Sequence, residues 1–89
     1  MITPKEAYEQ STVSKKEVMD RFEIENPEIM EKIAQAIDEG INKGKVYTHF
    51  DSINYNSAKV KEITDYLHFL GYDAQHDFQR ESIWINWSQ

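Results

Sequence analysis

Three histidines, a pair of strand carboxylates and an arginine near a tryptophan are the residues of this chain that could do chemistry. His49, His68 and His76 could ligate a metal, but no two stand at a recognised ligand spacing, and there is no cysteine to complete a thiolate site. They read as surface or partly packed side chains, and no metal or other cofactor is expected. Asp73 and Asp77 would share one side of a strand, separated along it by about 13 Å. That is wider than the carboxyl pair of a glycosidase. A Gly-x-Ser-x-Gly turn and a phosphate loop are both missing, and Gly40, Gly44 and Gly71 each stand at an expected helix end. An enzyme is therefore not expected. What remains is aromatic. Tyr47, His49, Tyr55, His76 and Trp84 offer stacking surfaces and Arg80 a cation, which together could grip a partner or stack on a nucleotide-derived ligand. The plainer reading of Tyr47 and Trp84 is packing under another segment or across an oligomer interface.

The elements that position these residues follow from periodicity. Thr3-Pro4-Lys5-Glu6 is a capping box with proline at the first helical position, and Ser14 to Glu17 is a second box. One helix over about 4–24, or two with a break near Ser11-Thr12, is expected. Asn26-Pro27 starts another, in which Ile29, Ile33, Ile37 and Ile41 recur every four residues as an apolar stripe. Residues 46–50 read as a strand. Asn56 or Ser57 caps a helix whose Val60, Ile63, Leu67 and Leu70 form its apolar face and whose stop is Gly71. Residues 72–78 form a second strand. Ser82 to Trp87 form a third that alternates Ile83, Ile85 and Trp87 against Ser82, Trp84 and Asn86.

The expected fold is α+β. N-terminal helices precede a βαββ unit that forms a small three-stranded mixed sheet with helices on one face. If the strands at 46–50 and 72–78 are neighbours they run parallel. Residues 1–25 form a helical arm and 26–89 a compact αβαββ domain, within one domain overall. The uncovered sheet face would then carry Trp84 with some of Tyr47, His49, Asp73, Gln75 and Asp77, depending on register. An aromatic there calls for a binding surface or an oligomer interface.

A chain of 89 residues with net charge −6 has a core only just adequate for a single domain, so self-association would be a natural source of stability. The acidic balance opposes direct nucleic-acid binding. Acidic residues recurring from Glu17 to Glu39 could line helices as a ribbon attractive to a basic protein, although a solvated helix face explains them more simply. Without an apolar span or a leader pattern, a cytoplasmic protein away from membranes is expected.

The segments AIDEGINKGKVY, ITDYLHFLGYDAQ and SIWINW, together with the opening Thr3 to Ala7, resemble small bacteriophage accessory proteins. The shared motifs are structural, and Trp84 departs from the usual ending of the family. The resemblance implies a phage protein in the host cytoplasm that acts by stoichiometric binding, inhibiting or sequestering a host defence factor, as a homo-oligomer. Alternatives are a virion or assembly component docked through the N-terminal arm, and a sponge for a nucleotide signal with Arg80 and Trp84 in its pocket.

Overall fold

Thr3 opens the first helix as expected: its Oγ1 accepts the Glu6 N–H at 3.3 Å. The computed structural model describes residues 3–88, and of residues 11–13 the backbone only. Helix α1 (Pro4–Glu25) passes through the second capping box without a break. Its apolar side chains are sparse. Met19 and Phe22 are buried, while Tyr8, Val18 and Ile24 face solvent. Helix α2 (Pro27–Asn42) follows after Asn26. Asn26 makes no side-chain cap; its amide instead donates to the Phe22 carbonyl at 2.8 Å and accepts from Lys59 Nζ at 3.1 Å, tying the α1–α2 corner to the third helix.

Ile29 and Ile33 of α2 are buried, but Ile41 is exposed. The reason is angular. A spacing of four residues drifts about 40° per step on a helix of 3.6 residues per turn, so the third step leaves the core face. Gly40, seven residues after Ile33, returns to that face, and it lies inside α2 rather than at its end. Strand β1 (Tyr47–Asp51), helix α3 (Ser57–Leu70), strand β2 (Asp73–Asp77) and strand β3 (Ser82–Asn86) complete the chain. Asn56 caps α3 by accepting the Lys59 N–H at 2.8 Å. Gly71 ends it with φ +100°, a left-handed turn that glycine adopts without Cβ strain.

The architecture is α+β, with three helices and a small open sheet of order β1-β3-β2. Both pairings are antiparallel, so the sheet is not mixed. Strand β3 inserts between the two strands that α3 joins, which run parallel to each other without pairing. Physically, β3 is the strand that merits the centre, since Ile83 and Ile85 are both completely buried. Its inward side joins Phe50 and Ala74 beneath α2 and α3, where Ile63 and Leu67 are equally inaccessible. Full burial of each such side chain contributes about 2–3 kcal/mol.

The phase of the hydrogen-bond ladder is fixed at its ends. Trp87 N–H donates to the Val46 carbonyl and Ser52 N–H to the Glu81 carbonyl, both at 2.9 Å. Because antiparallel pairs alternate between bonded and non-bonded, Thr48 and Phe50 bond to β3, and the main-chain groups of Tyr47, His49 and Asp51 point to the free edge. On the other side, Gln75 bonds to β3 and Ala74 and His76 point outward. The Ala74 carbonyl then accepts His68 Nε2–H at 2.9 Å.

Candidate functional site

Strand register assembles one face from three separate segments. Trp84, at the centre of the middle strand, stands opposite His49 on one side and Gln75 on the other. Tyr47 faces Asn86 and Asp51 faces Ser82, while Asp73 and Asp77 flank the same two β3 residues from β2. Since α2 and α3 pack on the Phe50, Ala74, Ile83 and Ile85 face, this opposite face is left open. Tyr47, His49 and Gln75 are exposed and Trp84 is half-buried among them.

The centre of the face is aromatic. Tyr47 and His49 meet edge-on at 6.1 Å between ring centroids, and Lys45 Nζ sits 5.4 Å from the Tyr47 ring. The rim is acidic, with Asp51, Asp73 and Asp77 at the ends of the outer strands. Such a face offers an apolar surface for contact and carboxylates that favour a basic rim on whatever meets it.

Of the six residues singled out from the sequence, Tyr47, His49 and Trp84 come together here, and the other three do not. His76 alternates onto the helix-facing side, opposite Ile83, with its ring 4.3 Å from that of Phe78. Arg80 lies in the β2–β3 turn with its Nε 3.8 Å from Asp77 Oδ2. Asp77 Oδ1 also accepts the Gln79 and Arg80 N–H groups at 3.0 and 3.2 Å, so this turn is built around the aspartate. Tyr55 belongs to the β1–α3 loop and stacks on Phe50 at 6.0 Å, on the core side.

Two concavities had no sequence signal. A cleft of 290 Å³ lies between α2 and the edge of β1, with Lys32, Gln35, Ala36 and Glu39 on one wall and His49, Phe50 and Asp51 on the other. Lys32 there ionises above its ordinary range, chiefly because it is hydrogen-bonded to Glu28, 3.3 Å away. A larger apolar hollow of 490 Å³ sits between α2 and α3, beside Met30, Ile37, Leu70 and Tyr72. At its margin Tyr66 is buried and donates its hydroxyl to Glu23 Oε1, joining α3 to α1. Burial first, and the bond to Glu23 second, push the Tyr66 phenol well above its usual range.

Among the described residues, no three His, Asp or Glu side chains converge as a metal site would require, and no helix is long and apolar enough to cross a membrane. No family model matches the chain, and searches of curated proteins and of solved structures likewise yield no match.

Proposed function

We propose that the protein works by stoichiometric binding of a protein partner, without catalysis, through the open sheet face centred on Trp84. One observation carries this reading: the largest side chain of the outer face occupies the middle of the central strand, and neither α2 nor α3 packs on that side. A tryptophan there is an anchor of the type that concentrates binding energy at protein interfaces. The carboxylates of Asp51, Asp73 and Asp77 give the partner its complement, an apolar spot ringed by Lys and Arg. The resemblance to phage accessory proteins makes a host defence protein, inhibited or sequestered in the cytoplasm, the favoured partner. A second copy of the chain is the competing one.

The deciding experiment compares wild-type protein with Trp84→Ala and Asp73→Lys/Asp77→Lys. Mass in solution is measured first, followed by capture from host extract with the stoichiometry of the retained protein. One host protein held at a fixed ratio, and lost in both variants while they remain folded, is the expected result. Capture undiminished by Trp84→Ala overturns the reading. A wild-type dimer that Trp84→Ala converts to monomer assigns the face to self-association.

A second reading has its own support. Among the described side chains of helix α1, Met19 and Phe22 are buried while Val18 and Ile24 face outward, as on an arm that docks onto a larger assembly. Co-purification with virus particles that is lost on removing residues 1–14 would favour that assignment.

A further inference from the structure

The two edges of the sheet are finished differently, and the difference points to a second binding site. On the β2 edge the outward Ala74 carbonyl is taken by His68. On the β1 edge the Tyr47 carbonyl packs beside Gly40 of α2, whereas the outward N–H and C=O groups of His49 and Asp51 meet no hydrogen-bond partner among the described residues. This unsatisfied ladder also forms one wall of the 290 Å³ cleft whose other wall is α2. An edge strand beside a helix, with a space between them, is the geometry in which proteins accept an added strand.

We infer that the cleft between α2 and β1 binds an extended, basic peptide segment of a partner protein by strand addition. The segment pairs with the main chain of His49 and Asp51, making a fourth strand about 4.8 Å beyond that end of β1. Its alternate side chains enter the cleft, where Ala36 leaves the α2 wall low and Phe50 supplies an apolar floor. Charge selects the occupant. Glu39 and Asp51 line the cleft, and neither appears in any ion pair among the described residues. Lys32, the one cation of the walls, is already held by Glu28. The lining is thus net negative on a chain of charge −6, which favours Lys or Arg in the added strand and disfavours a second copy of this acidic chain. The cleft shares His49 and Asp51 with the open face but does not include Trp84, so Trp84→Ala tells the two surfaces apart.

The probes are fluorescently labelled, capped peptides of about seven residues, a strand's length, with Val alternating with Lys, Thr or Glu. Binding is read by anisotropy, and the location by amide hydrogen exchange. The Lys series is expected to bind at least about ten-fold more tightly than the Glu series and to slow exchange at His49 and Asp51. His49→Pro removes an N–H that faces the free edge, so it leaves the ladder to β3 intact and should abolish binding. Trp84→Ala, which lies outside the cleft lining, should change affinity by less than about three-fold. Ala36→Lys, on the accessible side of α2, blocks the cleft without touching the sheet and should also abolish binding, which secures the test if His49→Pro does not fold. No binding by any series overturns the proposal. So does binding that leaves those two amides unprotected, or a homodimer in which they are protected before any peptide is added.

Discussion

Two tryptophans three residues apart do opposite things in this protein. Trp87 follows the end of β3 on the covered side. Its ring stands edge-on to Tyr72 at 6.4 Å and occupies the space above Gly40, where a Cβ would come within 2.7 Å of the indole Cη2. Trp84 lies on the open side, with His49 and Gln75 across from it and no helix overhead. Strand alternation sends the two rings to opposite faces, and the faces differ in what they contribute. The covered face fixes the fold by excluding water from Phe50, Ile83 and Ile85. The open face spends a large aromatic where the core receives nothing from it, which is the signature of a surface kept for contact.

The sharpest test of this contrast is Trp87→Ala. Loss of a half-buried indole seated against Gly40 and Tyr72 should cost about 3 kcal/mol, seen as a lower denaturant midpoint with an unchanged slope. Gly40→Ala attacks the same seat from the other side. Alanine normally stabilises a helix interior by about 1 kcal/mol relative to glycine. Here the added methyl meets a rigid indole and, at 3.0 Å, the Tyr47 carbonyl. The prediction is therefore a net loss of about 1–2 kcal/mol. A gain in stability would show that Trp87 is not held against α2.

Most of the fold was legible because its signals are local. Pro4, Pro27 and Gly71 set helix limits through their own backbone geometry, and the alternation of β3 named Ile83 and Ile85 as core before any partner strand was known. The strand order was not legible, because nothing in β1 or β2 states that β3 will come between them. Gly40 shows the same limit. From sequence it marks a helix end, and its actual role depends on a tryptophan 47 positions later that arrives from another layer. For the candidate site, Tyr47, His49 and Trp84 could be grouped once face and period were known. His76 was grouped for its ring, although alternation already sets it on the side opposite Asp73, Gln75 and Asp77, and Arg80 stays apart because its turn is organised by Asp77. The cleft beside β1 gave no local sign, since it exists only between elements.

A pH experiment extends the contrast to the helical layer. Tyr66 keeps its proton in the folded state at pH values where an unfolded tyrosine, with pKa about 10, gives it up. Its contribution is therefore intact below pH about 10 and falls away as pH rises further, by at most about 1.4 kcal/mol per pH unit. Tyr66→Phe should cost about 1.5 kcal/mol at neutral pH, through loss of the bond to Glu23, and should flatten the alkaline decline. Midpoints measured at pH 8 and pH 11 check both parts.

The smallest expected effect on stability is the most informative about function. Trp84→Ala removes cross-strand contacts with His49 and Gln75 but opens no cavity in the core, so its cost should be at most about 1 kcal/mol. Placed beside Trp87→Ala, the same chemical change three residues away should differ by about 2 kcal/mol in denaturant midpoint analysis. The size of the gap decides the issue. If Trp84→Ala were as damaging as Trp87→Ala, the indole would be bearing structural load and the open face would lose its claim as a binding surface. If it leaves stability nearly untouched while capture of the partner disappears, the side chain is retained for recognition, because the fold alone gives no reason to keep a tryptophan there.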